Sequence, residues 1–244
     1  MQNKCITLAV LGNGTVGKSS LINNFRSDGF VSVYKQTVGC EFYEKKVSIR
    51  ESLVSLRVWD IGGQSIHSKS IQQYVSTSDA IFLVYDVTNR ESFIDLSDWK
   101  SVLDKHGVTG NVYLVGNKID MIGQRQVTVD QHEHYVAEAG FRGSIFMSAK
   151  TGENVVRMFY KVAGEVLGVH LSENELDIHH KVLKVSVIGG SNQLNATSVF
   201  KIGDNDDASL HGGRTAFADQ IEAEDRAAAE AAKRKQEQCM CNLQ

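Results

Sequence analysis

One octapeptide near the beginning of the chain limits the possible folds more than any other feature. Residues 12–19 read GNGTVGKS and fit the pattern GxxxxGK followed by Ser or Thr. The motif follows an apolar run and opens an amphipathic stretch, the strand–loop–helix context in which such loops bind phosphate. Its glycines allow backbone N–H groups to surround phosphate oxygens, and the helix N-terminus adds partial positive charge. The octapeptide predicts a phosphate-binding α/β domain, with an ordinary glycine turn as the alternative.

Apolar runs alternate with helical patterns as far as about residue 170. Strands are predicted over residues 5–11, 42–49, 54–60, 80–86, 112–117 and 144–148. Helices are predicted over residues 18–27, 66–76, 91–106, 130–139 and 153–167. A hairpin at Glu51 and Ser52 makes one edge pair antiparallel. The order predicts an α/β fold of three layers with a six-stranded, mostly parallel sheet, which binds ligands at the carboxyl ends of its strands.

The composition changes after about residue 170. Residues 189–213 are rich in Gly, Asn, Asp and Ser and are interpreted as a linker. Residues 216–238 place acidic residues before basic ones, which suits a helix, although only two large apolar side chains could be buried there. We therefore predict a nucleotide-binding domain over 1–170 and a flexible, solvated tail over 171–244.

Charge, cysteines and histidines exclude several other classes of protein. The formal net charge is only -3, which does not indicate a nucleic-acid binder. Four scattered cysteines do not make a disulfide framework and favour a reducing, cytoplasmic setting. The longest apolar stretch, residues 80–85, is far shorter than the ~20 residues of a membrane-spanning helix. His132 and His134 are expected to be solvated rather than to bind metal.

The candidates for binding phosphate and magnesium lie in three segments. Lys18 would reach the β- and γ-phosphates, and the Ser19 hydroxyl would bind Mg2+. Asp60, at the end of the third predicted strand, could hold magnesium through water, and the Gly63 N–H could meet the γ-phosphate. Thr37 could add its hydroxyl to magnesium only when a γ-phosphate holds its loop in place. The other predicted phosphate-binding residues are Gly14, Thr15, Val16, Gly17 and Ser20.

Two further segments select the base. Asn117, Lys118, Ile119 and Asp120 follow the fifth predicted strand, and Ser148, Ala149 and Lys150 end the sixth. The Asp120 carboxylate can accept from both N1–H and the 2-amino group of guanine, while the Ala149 N–H can reach the guanine O6. Adenine lacks that pair of donors and would leave a partly desolvated carboxylate unpaired. Guanine is therefore the predicted base, and a P-loop ATPase or kinase is the alternative.

Together, residues 12–19, Thr37, 60–64, 117–120 and 148–150 resemble the nucleotide motifs of Ras-like small GTPases, over about residues 4–169. The segments YKQTVG, LVYDVTN and ESF resemble the Rab branch, and WDIGGQ resembles a divergent Rab subgroup. The resemblance implies a P-loop GTPase domain that binds GTP, GDP and Mg2+. It also implies that Phe30 packs on the guanine edge, that Tyr34 closes over the phosphates, and that Gln64 orients the attacking water.

The same resemblance implies a slow hydrolytic switch of vesicle trafficking. Its partners would be a nucleotide exchange factor, a GTPase-activating protein, effectors of the GTP state and a prenyl-binding carrier. Its place would be the cytosolic face of membranes, endosomal or at the ciliary base. A GTP-locked scaffold that rarely cycles and a Ras-like signalling switch outside trafficking remain as alternatives.

Two departures from the usual Rab pattern lie in residues 61–70, here called the second switch loop; the first switch loop is the one that contains Thr37. Most Rab proteins have Thr-Ala where this chain has Ile61 and Gly62, and an acidic residue in place of Ser65. Adjacent glycines at 62 and 63 add backbone freedom, at an ordering cost of roughly 0.5–1 kcal/mol relative to Ala. We therefore predict a second loop that is unusually loose in the GDP state.

The last four residues, Cys241, Asn242, Leu243 and Gln244, fit a prenylation box. The terminal Gln favours a farnesyl group on Cys241, and a chance cysteine is the alternative. One lipid chain gives only weak and reversible membrane binding, so a second signal is expected. Palmitoylation of Cys239 and the basic residues 233–235 are the candidates.

Overall fold

The fold is built on one six-stranded sheet. The computed structural model describes residues 4–26, 36–108 and 110–177. The strands are β1 (Lys4–Leu11), β2 (Cys40–Ile49), β3 (Ser52–Ile61), β4 (Ala80–Asp86), β5 (Val112–Asn117) and β6 (Gly143–Phe146). Their order is β2-β3-β1-β4-β5-β6, and every neighbouring pair is parallel except β2 with β3. The predicted mostly parallel sheet is confirmed.

The hairpin between β2 and β3 turns one residue earlier than predicted. Ile49 lies opposite Ser52, so Arg50 and Glu51 form the turn and Ser52 already belongs to β3. Arg50 has a φ of 51°, in the left-handed region that tight turns between strands require. The turn joins the two strands of the longest ladder in the sheet. The strand order places β2 at one edge of the sheet.

Residues 173–177 are helical up to the end of the last described range. Six further α-helices lie within the described ranges, where five were predicted: α1 (Lys18–Arg26), α2 (Ile71–Ser76), α3 (Arg90–Ile94), α4 (Leu96–Lys105), α5 (Val129–Ala139) and α6 (Val155–Val166). The helix expected over 66–76 is wrong in its first half: a 3-10 turn spans Gly63–His67, and Ser68 is extended. The hydroxyls of Ser68 and Ser70 lie 2.6 Å apart. Such local hydroxyl bonds compete with helix formation. The helix predicted over 91–106 divides at Asp95 into α3 and α4.

The largest part of the core lies between the sheet and the pair α1 and α6. Phe25 of α1 stacks on Phe159 of α6 with ring centroids 4.1 Å apart. Every residue of β4 and β5 is buried, which requires cover on both faces of the sheet. Buried side chains of α4, Leu96, Trp99 and Leu103, are among those that supply that cover. The three-layer prediction is therefore confirmed.

His132 of α5 is not solvated, contrary to prediction. It is 1% exposed, its Nδ1 lies 3.0 Å from the Tyr85 hydroxyl, and its ring packs on Phe146. Burial, with a smaller effect from Arg125, lowers the pKa of His132 to about 3, so the imidazole is neutral at physiological pH. Its spacing of three and four residues from Val129 and Val136 places it on the apolar face of α5, a signal that was overlooked. His134 is exposed, as predicted.

The packed part of the chain continues past residue 170. Leu171 and Leu176 are buried in the same core as α1 and α6, and residues 173–177 form a helical turn. The boundary predicted at residue 170 therefore falls inside packed structure. The predicted linker, the predicted helix over 216–238, Cys239 and Cys241 lie outside the described residues. Within the described ranges, no helix is both long and apolar enough to cross a membrane.

Candidate nucleotide site

A cavity of about 1040 Å³ lies at the carboxyl edge of the sheet. Its wall is formed by loops that follow β1, β3, β5 and β6, where sheets of this kind bind ligands. The predicted site residues that line it are Gly14, Thr15, Gly17, Lys18, Ser19, Ser20, Thr37, Gly63, Gln64, Asn117, Lys118, Asp120, Ala149 and Lys150. Residues far apart in the sequence are therefore brought together around one space.

Lys18 lines the predicted phosphate end of the cavity. Its Nζ donates to the carbonyl oxygens of Gly12 at 2.8 Å and Asn13 at 2.6 Å. Burial lowers the pKa of Lys18 to about 8, although the Asp60 carboxylate acts in the opposite direction. A bound polyphosphate would add negative charge beside this ammonium and favour its protonated form. The loop thus holds a buried cation that an anion would stabilise.

Three oxygen-bearing side chains converge beside Lys18. The Ser19 hydroxyl donates to Asp60 Oδ2 and lies 3.0 Å from the Thr37 hydroxyl. Burial raises the pKa of Asp60, while the Ser19 hydrogen bond and the Lys18 charge oppose the shift. Asp60 Oδ1 is buried and has no hydrogen-bond partner in the described part of the chain. Hydroxyl and carboxylate oxygens are ligands that Mg2+ prefers, and an orphaned carboxylate oxygen fits a cation or its water, so these residues fit magnesium.

Close backbone contacts explain two of the glycines in the second loop. A Cβ on Gly63 would lie 2.1 Å from the Gly14 nitrogen, and one on Gly62 would lie 2.5 Å from the Thr37 oxygen. The Gly62 N–H also donates to the Gly39 oxygen at 2.9 Å. Both glycines are therefore packed against the other loops of the site in this arrangement. The predicted looseness in the GDP state stays a prediction.

Asn117, at the end of β5, joins two loops at the predicted base end of the cavity. Its Nδ2 donates to the Val16 oxygen at 2.7 Å, and its Oδ1 accepts the Ala149 N–H at 3.0 Å. Gly17, with a φ of 98°, leaves the space that Asn117 occupies, because a Cβ there would lie 2.3 Å from Nδ2. The Ala149 N–H is thus already bonded within the chain, and its expected bond to a guanine O6 stays a prediction.

Asp120 is oriented by the loop after β6. Its Oδ1 accepts a hydrogen bond from the Ser148 hydroxyl at 2.7 Å, and Lys150 Nζ lies 3.8 Å from Oδ2. Asp120 lines the cavity and is half-buried. A carboxylate held in this way faces the cavity as an acceptor and suits a ligand with two neighbouring donors.

Asp86 is a residue of this site that sequence reasoning missed. It ends β4 at the edge where Asp60 and Asn117 also lie, and its Oδ2 is 2.6 Å from Lys118 Nζ. Its Oδ1 accepts from the Thr88 N–H at 2.9 Å and the Thr88 hydroxyl at 2.7 Å. Lys118 has a φ of 68°, so a buried acid holds a lysine of unusual backbone conformation at the cavity wall. The position of Asp86 at a strand end was the available signal.

Four predicted residues differ in placement from the rest. Gln64 lines the cavity and its side chain is exposed. Phe30 and Tyr34 lie outside the described residues. Val16 is buried behind the loop, and only its carbonyl contact with Asn117 is tied to the site.

The whole arrangement suits one kind of ligand chemistry. A backbone loop with a buried lysine suits phosphates. The side-chain oxygens of Ser19, Thr37 and Asp60 suit a divalent cation. At the other end of the cavity, the Asp120 carboxylate can accept hydrogen bonds from two neighbouring donors. These parts fit a purine nucleoside polyphosphate with its metal ion. Such an arrangement also suits phosphoryl transfer to water, because that reaction depends mainly on the positioning of the reactants and on stabilisation of charge.

Comparison with known proteins agrees with this geometry. The sequence model of the Ras family matches residues 7–168. The Ras-related protein Rab-28 of Caenorhabditis elegans is 36% identical over 200 residues, which cover 80% of this chain and 80% of that protein. The divergent Rab subgroup indicated by the motif WDIGGQ is thus represented among the similar proteins.

Proposed function

This chain belongs to the Ras family of small GTPases as a Rab-type member, and on that premise we propose that it is a slowly hydrolysing switch of membrane trafficking. Proteins of this family bind GTP and GDP and hydrolyse GTP. The proposal depends most on one observation: the Thr37 hydroxyl, from the loop before β2, lies beside Ser19 and the buried Asp60. A loop that adds a metal ligand can report whether a γ-phosphate is present.

Hydrolysis would depend on positioning and charge, because a phosphoryl group is transferred to water with little covalent help from the protein. Lys18 would stabilise charge on the β- and γ-phosphate oxygens, and Gln64 would orient the attacking water. Magnesium, held by Ser19 and Thr37 with Asp60 beside them, supplies further positive charge when bound. Asp120 and Lys118 would hold the guanine base and so fix the nucleotide in register.

Slow turnover is supported by the composition of the cavity wall. No arginine is among the described residues that line the cavity. Intrinsic hydrolysis is therefore proposed to be on the order of 10⁻⁴ s⁻¹, and an activating protein that supplies a cation could raise it by ~10⁵. After hydrolysis, Thr37 would lose its contact with magnesium and Gly63 its contact with the γ-phosphate. Both switch loops would then relax into a form that effectors do not bind.

The Gln64→Leu variant tests this mechanism. Loss of the side chain that orients water is expected to slow single-turnover GTP hydrolysis by at least about tenfold, while GTP affinity is retained. The matched control is Gln72→Leu, at an exposed position of α2. Equal rates for wild type and Gln64→Leu would contradict the assigned role. A wild type that binds GTP but never hydrolyses it would instead favour the GTP-locked scaffold, and ATP that competes as well as GTP would remove the proposal.

Membrane attachment is proposed to depend on the C-terminal box. A farnesyl group on Cys241 would supply one weak anchor, and either Cys239 or the basic residues 233–235 would supply the second. Cys241→Ser is expected to move most of the full chain from the membrane fraction to the soluble fraction of cells. Cys5→Ser, at an exposed cysteine of β1, is the control and should not change this distribution. Mass spectrometry that finds Cys241 unmodified would contradict the proposal.

The cellular partners remain proposals of the same kind. We propose an exchange factor, an activating protein, effectors of the GTP state and a prenyl-binding carrier, with endosomal or ciliary-base membranes as the location. A Ras-like signalling role outside trafficking would be favoured if proximity labelling with the full-length Gln64→Leu form found no components of vesicle traffic.

A further inference from the structure

The side chain of Asn13, inside the phosphate loop, makes two hydrogen bonds to a distant part of the chain. Its Nδ2 donates to Asp95 Oδ2 at 2.6 Å, and its Oδ1 accepts the indole N–H of Trp99 at 2.9 Å. Both partners lie more than eighty positions further along the chain, Asp95 between α3 and α4 and Trp99 within α4. Asn13 thus joins the phosphate loop to the α3–α4 junction.

The chemistry of the partners permits only one orientation of the Asn13 amide. An indole nitrogen can only donate, and an ionised carboxylate can only accept. Oδ1 must therefore face Trp99, and Nδ2 must face Asp95. Trp99 is 0% exposed, so its N–H would be buried without a partner if Asn13 moved away. The side chain is consequently held at both polar ends.

The backbone of the same residue holds Lys18. The Asn13 carbonyl accepts from Lys18 Nζ at 2.6 Å, and the next residue, Gly14, touches the second switch loop. A shift of Asn13 would therefore move the acceptor that aims the buried lysine. It would also change the surface against which Gly63 packs. The α3–α4 junction is linked to the phosphate end of the cavity through this one residue.

The break in the predicted helix over 91–106 lies at one of the residues that contact Asn13. Asp95 separates α3 from α4, and its own N–H bonds back to the Glu91 oxygen at 2.9 Å. Asp95 and Trp99 are four positions apart and lie on one side of this helical segment, so both side chains reach Asn13 while Trp99 stays in the core.

We propose that Asn13, Asp95 and Trp99 form a positioning triad that preorganises the phosphate loop for the β- and γ-phosphates. None of the three is assigned a contact with the nucleotide; they act through the Asn13 carbonyl on Lys18. The inference rests on the proposed nucleotide function and adds the residues that set the shape of its phosphate end. Because the Asn13–Asp95 bond joins an amide to a carboxylate, the two residues are interchangeable in principle.

A charge swap tests the triad in the full-length protein. Asn13→Asp alone places two carboxylates against each other beside the phosphates, and release of N-methylanthraniloyl-GDP is expected to become about tenfold to a hundredfold faster. The double variant Asn13→Asp with Asp95→Asn restores an amide–carboxylate pair and an acceptor for Trp99. Its release rate is expected to return to within about threefold of wild type, the remainder reflecting the charge moved nearer the phosphates.

The control combines Asn13→Asp with Asp98→Asn, an exposed acid in the first turn of α4. It makes the same change of net charge without restoring the pair, and it should release nucleotide as fast as Asn13→Asp alone. Rescue by both double variants would reduce the effect to overall charge and overturn the proposal. Failure of the Asp95→Asn double variant to rescue would overturn it as well.

Two measurements separate a positioning role from loss of folding. The melting temperature of each variant without added nucleotide should change far less than its release rate. Affinity for GMP, which lacks the phosphates near Lys18, should fall less than affinity for GDP. An equal loss for GMP and GDP would mean general destabilisation and would contradict the triad. Should wild type bind neither GDP nor GTP, the proposed function itself would fail, a result distinct from failed rescue.

Discussion

Gly63→Ala is expected to abolish GTP-dependent closure of the two switch loops while GDP remains bound. A Cβ at this position would lie 2.1 Å from the Gly14 nitrogen and 2.4 Å from the Asn13 carbonyl carbon. Both atoms belong to the phosphate-loop backbone, which cannot yield as a flexible side chain would. The second loop would therefore stay away from the phosphate, and Gln64, the next residue, would stay with it.

The expected size of the effect follows from geometry. A misplacement of about 1 Å in a positioned group can cost about 10²-fold in rate, so single-turnover GTP hydrolysis should fall by about that factor. Affinity for effectors of the GTP state should fall as well, because Thr37 and Gly62 contact each other across the two loops. Release of GDP should change by less than about threefold, since the contacts of Asn117 and Asp120 are untouched.

Gly123→Ala is the matched control for this variant. Gly123 also lies in a loop turn near the site, but a Cβ there would meet no atom within 4 Å. Its hydrolysis and effector binding should equal those of wild type. Normal hydrolysis by Gly63→Ala would mean that the close approach of Gly63 to Gly14 is not required for catalysis. Loss of GDP binding would show that the substitution disturbs the phosphate loop itself.

Sequence periodicity was sufficient for the sheet but not for all the helices. β4 and β5 agree residue for residue with their predicted bounds, because continuous apolar runs ended by polar residues have only one interpretation in a buried parallel sheet. The breaks in two of the predicted helices were missed, one because of local hydrogen bonds and the other at a residue whose partner lies far away in the sequence. Hydroxyl bonds at Ser68 and Ser70 interrupt the first, and the second breaks where Asp95 reaches Asn13, a partner that local pattern cannot reveal.

In the candidate site too, the motifs could be predicted from the sequence, whereas the contacts between distant segments could not. Loops at strand ends were predictable, since residues that end parallel strands share one edge of the sheet. The contacts that orient the site residues were not, because each joins distant segments: Asp86 with Lys118, Trp99 with Asn13, and Ser148, itself a predicted site residue, with Asp120. Burial also could not be inferred for His132 from its residue type, since histidine occurs both in solvent and in cores.

Asp120→Asn is expected to change which base the site prefers. Guanine presents two neighbouring donors, N1–H and the 2-amino group, and a carboxylate can accept from both. An asparagine offers one acceptor and one donor, so its Nδ2 would face a second donor. Xanthine carries an oxygen in place of the 2-amino group, and it would match that donor. The variant should therefore lose GDP affinity by about 10²–10⁴-fold and prefer xanthosine diphosphate.

Competition against N-methylanthraniloyl-GDP for wild type, and against the corresponding xanthosine nucleotide for the variant, measures this change. Ser148 keeps its acceptor at Oδ1 of residue 120, so the loops after β5 and β6 should hold their arrangement and the phosphate end should bind normally. Asp130→Asn, at an exposed position of α5, is the control with the same chemical change and should keep its preference for guanine. If Asp120→Asn still preferred GDP, the carboxylate would not be the group that reads the base, and selectivity would have to come from the Ala149 N–H alone.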